Sequence, residues 1–402
     1  MPSSISSSDA AVIVPGALPP VSAERAAAAD LYARQTAADR PGVAQPVPRR
    51  PVPEQPWGRI LLGAVVILAL LVGGWEAYWR AYGVRPSLAN SYGLWAIERR
   101  RIDAGEGDAT VLLGASRVYF DIQLKVWERL SGRSPIQLSF EGTSPLAALE
   151  DLAADPNFTG RVLVGVAPDV FFSGFEFRGG AIRYTRKESP SQRIGQWLSM
   201  TFIEPFFAFD DPDFALQTVL KRQPWPKRPG KQWFLDVRKL SETGLHRDTH
   251  MWSKVWTDPE YRALARSIWH QDFQPSPDDP TPEEARKTER EQIARAAAVV
   301  AKLRAHGVKV LFARLPSSGE YLAYENREFP RGRTWDALLA ATAAPGIHFQ
   351  DYYQELQGYY LPEWSHMTRA EAERFTEALY GIIVRDFWKP DGAAAPPAAA
   401  QR

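Results

Sequence analysis

Two short segments carry residue types that could act together as a nucleophile and its base. Val111-Leu-Leu-Gly-Ala-Ser-Arg117 sets one hydroxyl, Ser116, just after an apolar, β-rich run that stops at Gly114. Far downstream, Glu363-Trp-Ser-His366 sets an imidazole three residues after a carboxylate and two residues before a helix N-cap pattern. A serine hydroxyl attacks an acyl carbon only when an imidazole takes its proton and a carboxylate fixes the tautomer of that imidazole. Alone, each piece has a plain explanation. A Gly-Ala-Ser stretch is ordinary turn chemistry, and a loop histidine is usually just solvated. His366 is nonetheless the best placed of the six histidines.

A sheet must bring the two segments together. The strand ending at Leu113 is followed by a helical stripe over 119–131 (Phe120, Leu124, Trp127, Leu130), which Gly132 stops. Ile136-Gln-Leu138 is a short strand, and Leu146, Leu149 and Leu152 mark one face of the helix after Pro145. Arg161 to Val166 is apolar without alternation, as in a strand covered on both faces. Strands alternating with helices predict an α/β fold with a doubly wound parallel sheet, whose ligands bind beyond the carboxyl ends of the strands. Upstream, residues 84–105 read as a helix. Residues 170–280 lose the rhythm and read as an aromatic, Pro-rich insertion or lid over that edge. Thr281-Pro-Glu-Glu284 is a capping box that opens a helix to His306. Val308 to Ala313 is the next strand, Arg314–Ser318 its exit loop, Trp335–Ala341 a helix, and Ile347-His-Phe349 an edge strand. Thr368-Arg-Ala-Glu371 is a second box, opening a last helix to about Phe387.

Composition bounds what the chain can do. It has 402 residues, a formal net charge of +1 and no cysteine. No polyanionic partner is implied by the charge, and disulfides, a thiol nucleophile and thiolate metal sites are excluded. Residues 1–56, rich in Ala, Ser and Pro, read as a disordered tail on the cytoplasmic side, and 389–402 as a second disordered tail. Between them, Ile60 to Trp75 is uncharged and spans roughly 24 Å as a helix, close to the ~30 Å of a bilayer core once flanking turns are added. Trp57, Trp75, Tyr78 and Trp79 sit where an interfacial belt belongs. Residues 57–80 are therefore expected to be one uncleaved transmembrane helix, with 81–388 as the α/β domain. The slight excess of Arg49, Arg50 and Arg59 over Arg80 and Arg85 places the large domain on the periplasmic or extracytoplasmic side of the inner (cytoplasmic) membrane.

Gly114-Ala-Ser116-Arg, Leu138-Ser-Phe-Glu-Gly142 and Glu363-Trp-Ser-His366, in that order, resemble the sequence blocks of the SGNH (GDSL-type) hydrolase superfamily, over roughly residues 108–169 and 305–388. The resemblance implies a three-layer, flavodoxin-like sheet, Ser116 as nucleophile, His366 as base, Glu363 as its acid, and the backbone N–H of Gly142 in an oxyanion hole. The family's acid is usually Asp, so Asp351 is kept as an alternative. The third block here reads Gly165-Val-Ala-Pro-Asp169 and lacks the family's Asn, a loss of the kind that typically costs ~10²–10³ in rate. Arg117 is expected to replace that donor, and Arg117→Ala to lose turnover more than folding.

The Arg after the serine and the altered third block are similar to the membrane-tethered periplasmic subunits of polysaccharide O-acetylation systems, such as those of alginate. That branch implies O-acyl (acetyl) transfer to, or ester removal from, an envelope or exported glycan. It also implies a multi-pass membrane acyltransferase or polysaccharide synthase and export machinery as partner. The alternatives are a plain carboxylesterase and an inactive scaffold subunit. Trp225, Trp233, Trp252, Trp256 and Trp269 of the insertion could stack on sugars, though packing is their commoner use. The basic run 221–231 could touch acidic glycan or headgroups. His246 and His250 have metal-site spacing, but Gly244 and Asp248 fit a loop as well. No metal, cofactor or nucleic acid is expected.

Overall fold

The structure, a computed structural model, describes residues 55–223, 238–277 and 279–388. Nearly all of the two expected tails, most of the basic run 221–231, Trp225 and Trp233 lie outside the described residues. The chain divides into two compact units, one up to Ile67 and one from Leu68. Every described residue of the first unit from Trp57 on belongs to the helix Trp57–Tyr82. Among the described residues, this is the one helix long and apolar enough to cross a membrane, and its apolar window is not buried against protein.

The second unit is an α/β fold. Its strands are β1 (Thr110–Leu113), β2 (Ile136–Gln137), β3 (Arg161–Gly165), β4 (Ser241–Thr243), β5 (Thr249–Met251), β6 (Lys309–Arg314) and β7 (Gly346–His348). Five of them form one parallel sheet in the order β2-β1-β3-β6-β7, and β4-β5 is a separate antiparallel hairpin. The sequence of the central strands explains the layers. Side chains alternate across a sheet, so a strand covered on both faces needs apolar residues at every position. Val111, Leu113, Val162, Val164, Val310 and Phe312 pack with Leu146–Ala153, Pro168–Ser173, Pro282–Ala305 and Trp335–Thr342 on one face. Leu112, Leu163, Leu311 and Ala313 pack with Leu124–Ser131 and Arg369–Ile382 on the other. The strand order reverses at β1, so the crevice outside β1 and β3 is the switch point where doubly wound sheets hold ligands.

Several expected elements differ. The single helix over 119–131 is two, Ser116–Asp121 and Leu124–Ser131. The break is stabilised by buried polar groups: the Gln123 amide donates to Thr376 Oγ1 at 2.9 Å, and its side chain donates to the Phe120 and Thr249 carbonyls. The helix expected from residue 84 begins at Tyr92, capped by Ser91. The preceding stretch is neither helix nor strand, and its Leu88 N–H donates to the Thr243 carbonyl at 2.8 Å. The capping box at Thr281 closes in both directions, whereas Thr368 only accepts from the Glu371 amide. Helix Gly319–Glu328 has no counterpart in the sequence reading. The insertion is no loose lid. Phe214, Met251, Trp252 and Tyr261 form a separate core with Trp79, Val84, Tyr119 and Phe120, and so pack directly against the helix that opens at Ser116.

That helix lies close on the sheet because two strand-exit glycines leave it room. A Cβ at Gly114 would lie 2.4 Å from Val118 Cγ2, and one at Gly165 only 2.0 Å from the same atom. Gly165→Ala should lower the melting temperature by the equivalent of about 1–3 kcal/mol, the usual cost of overpacking a core. In a Val118→Ala background the same change should cost much less; equal losses in both backgrounds would show that this contact is not what the glycine relieves.

Candidate active site

Ser116 is the first residue of Ser116–Asp121, immediately beyond β1, with Ala115 extended before it. Sheet pairing continues past β2: the Phe140 amide donates to the Gly114 carbonyl at 3.0 Å, carrying the next segment beside the β1 exit to Gly142. Gly142 has φ +52°, a conformation that favours glycine. Its carbonyl accepts from the Phe177 amide, while its own N–H has no partner among the described residues.

His366 lies in the loop before Arg369–Ile382 and is buried, as is Glu363. Glu363 Oε1 is 2.9 Å from His366 Nδ1 and accepts the His366 amide at 2.6 Å, and its Oε2 accepts the Trp269 indole N–H at 2.5 Å. Burial by itself would raise this carboxyl. The charge His366 carries when protonated, together with these three donors, more than offsets it and holds Glu363 below its ordinary value. A carboxylate at Nδ1 makes that nitrogen the donor and leaves Nε2 as the acceptor of the neutral ring. Nε2 is buried and has no hydrogen-bond partner among the described residues. The turn joining the pair is strained. Trp364 has φ +74°, uncommon for any residue but glycine, and is held there by its carbonyl accepting from Ser318 N–H and by Arg266 stacking on its ring at 5.1 Å.

Three contacts lace the helix of Ser116 to the loop of His366. Phe120, one turn along the same helix face as Ser116, has its ring centroid 4.4 Å from that of His366. Arg117 Nε donates to Ser365 Oγ at 3.2 Å, and the Met367 amide donates to Asp121 Oδ1 at 2.9 Å. The helix that opens with Ser116 is thus held against the loop of the imidazole and carboxylate, although Ser116 makes no hydrogen bond to His366 among the described residues. In the chemistry such an arrangement allows, Nε2 takes a proton from a hydroxyl while Glu363 stabilises the cation that forms.

Two expected residues do other work. Asp351 is exposed and forms a two-pronged ion pair with Arg331, at 2.6 and 2.8 Å, while the acid on His366 is Glu363. Arg117 has two of its nitrogens engaged elsewhere, through Ser365 and Glu325, while its Nη2 is buried without a hydrogen-bond partner among the described residues. It is buried, pairs with Glu325 Oε1 at 2.8 Å and lies 4.8 Å above the Tyr321 ring. In the third block, Asp169 Oδ2 accepts the Tyr321 hydroxyl at 2.5 Å, while Oδ1 is buried without a partner among the described residues. Burial, then the nearby Glu325 charge, raises the Asp169 carboxyl, with Arg117 opposing. His246 and His250 lie on the β4–β5 hairpin, each beside a carboxylate of its own (Glu98 and Glu242). Of the insertion tryptophans, Trp252 is fully buried, Trp256 is exposed, and Trp269 serves Glu363.

No family model and no curated protein matches this chain. The residues and their geometry therefore carry the functional reading. Trp269, Phe120, Asp121, Tyr321 and Glu325 all belong to the site or its support. None is marked by local sequence, because each acts through a partner far along the chain.

Two outcomes follow from the buried groups. Arg117→Ala removes one of the three donors to the buried Glu325 carboxylate, and breaking a buried pair usually costs about 3–5 kcal/mol, so its main effect should be on melting temperature rather than on turnover alone. A near-normal melting temperature would show that Arg314 suffices for Glu325. Asp121 is driven up to about 7 by burial, with Glu363 adding to the rise and His366, the Met367 amide and Arg117 opposing. Raised above its unfolded value, this carboxyl binds its proton more tightly in the folded chain. Its contribution to stability falls as pH rises from about 4 to about 7 and then levels off. Asp121→Asn should therefore shrink the difference in melting temperature between pH 5 and pH 8; an unchanged difference would place the titration elsewhere.

Proposed function

We propose that this chain is a membrane-anchored serine enzyme that moves an acyl group, most simply acetyl, to or from hydroxyls of an envelope or exported polysaccharide. One observation carries the reading: a buried imidazole whose Nδ1 is fixed by a buried carboxylate and whose Nε2 has no partner among the described residues, in a loop laced to the helix that opens with Ser116. Ser116 Oγ attacks the acyl carbonyl as Nε2 takes its proton, and that proton passes to the departing alcohol. A sugar hydroxyl or water then attacks the acyl carbon and gives its proton to Nε2; the bond from that carbon to Ser116 Oγ breaks and Nε2 returns the proton to Oγ, which regenerates the serine and the neutral base. The N–H of Gly142, without a partner among the described residues, suits the developing oxyanion. The SGNH-like order of the blocks supports the same assignment. The helix Trp57–Tyr82 is the proposed span, with the α/β domain on the extracytoplasmic side. There, a multi-pass acyltransferase or polysaccharide synthase would supply acyl groups or glycan.

One observation favours a second reading, a scaffold subunit without turnover. The third oxyanion position carries Asp169, whose carboxyl is engaged by Tyr321, in place of an amide. A fluorophosphonate probe separates the two, since it loses fluoride to an activated serine and stays bound as a phosphonyl ester. Labelling of the folded protein should disappear in Ser116→Ala and slow by about 10²–10⁴-fold in His366→Ala, the usual contribution of a general base. A folded wild-type chain that takes no label would overturn the enzyme reading in favour of the scaffold.

A further inference from the structure

The amphipathy of helix Pro190–Phe202 is inverted. None of its residues is buried. Ile194, Trp197, Leu198 and Phe202 recur on one helical face and are 58%, 54%, 43% and 56% exposed. Gln196, on the opposite face, turns inward and bonds Ser91 at 2.7 Å, while Arg193 pairs with Glu188. Polar side to protein and apolar side outward is the reverse of a water-facing helix. The exposed run continues into Phe206 and Phe207.

The level of this patch is set by the helix Trp57–Tyr82. Arg80 Nη2 donates to the Phe206 carbonyl at 2.8 Å, and the Glu76 carboxylate accepts the Ala208 and Phe209 amides at 3.0 and 3.1 Å. Glu76 and Arg80 are the first charges after the apolar run that ends at Trp75. In a membrane span they mark the headgroup layer, and these bonds tie the backbone at 206–209, beside the exposed apolar face, to that level.

We infer that Pro190–Phe202 and the turn through Phe207 form a second membrane contact that does not span, seated in the interfacial layer of the bilayer crossed by Trp57–Tyr82 with Ile194, Trp197, Leu198 and Phe202 toward the acyl chains. This rests on the spanning role proposed above for that helix. The seat also bears on the candidate active site. The Ala89 amide donates to Glu204 and Ser91 bonds Gln196, while Asn90 between them donates to Glu141 at 2.5 Å and accepts from Arg178. Glu141 precedes Gly142, so one three-residue segment ties the membrane seat to the proposed oxyanion loop. That arrangement holds the catalytic edge at a fixed height, which suits an acyl donor presented at the membrane surface.

The absence of cysteine makes the test direct. The full chain, reconstituted in phosphatidylethanolamine/phosphatidylglycerol bilayers, is spin-labelled singly at Trp197→Cys, Phe202→Cys, Ile67→Cys in the span, and Tyr353→Cys, an exposed control far from the patch in sequence. Collisions with oxygen, which concentrates in lipid, are compared with those of a water-soluble nickel chelate. Labels at 197, 202 and 67 should favour oxygen, and the label at 353 should favour nickel. If 67 is in lipid but 197 and 202 behave like 353, the inference falls and the span stands. If 67 also behaves like 353, both fall. Labels at 197 and 202 screened from both reagents would mean that protein covers the patch, which overturns the lipid assignment.

Discussion

The site depends on a carboxylate taken wholly out of water. Glu363 is fully buried, which would cost several kcal/mol if its charge were left unmatched. The amide and ring of His366 and the indole of Trp269 are the donors that match it. Because the carboxylate and the imidazole belong to one tight turn, held open by the strained Trp364, the tautomer of His366 is fixed before any substrate arrives. The insertion contributes Trp269, and for that reason takes part in holding the candidate site.

A second buried charge cluster fixes the rest of the edge. Glu325 accepts from Arg117, Arg314 and Ser317. Arg117 follows β1, Arg314 ends β6, and Tyr321, under Arg117, reaches Asp169 beyond β3. Three strand exits are therefore stitched by directional polar bonds at the place where apolar sheet packing ends. Loops carry function when a rigid scaffold aims them, and here the aiming is done by charge. The Arg117 guanidinium, next to Ser116 in sequence, gives Nε and Nη1 to this stitching and keeps Nη2 without a partner among the described residues.

The exposed apolar helix Pro190–Phe202 and the segment of Gly142 converge on the same short linker. Ala89–Ser91 binds the inverted helix on one side and Glu141 on the other. If the proposed span and membrane seat hold, the domain is fixed at two points, which restricts the orientation of the candidate site far more than a single span on a free linker would.

Much of this was written in local sequence. Apolar runs without alternation at Val111–Leu113 and Arg161–Val166 specified central strands, because only residues buried on both faces can dispense with polar positions. Glu363 and His366, three residues apart, were legible as a pair for the same local reason, and the Thr281 box marked the start of the long helix. Local sequence did not reveal the break at Ile122–Gln123, which depends on Thr376 and the Thr249 carbonyl. Nor did it reveal the duty of Arg117 or the donor role of Trp269. Each is settled by a partner that only folding brings near: periodicity reports which face of an element is buried, while the burial of a charge is decided by whatever distant group can satisfy it.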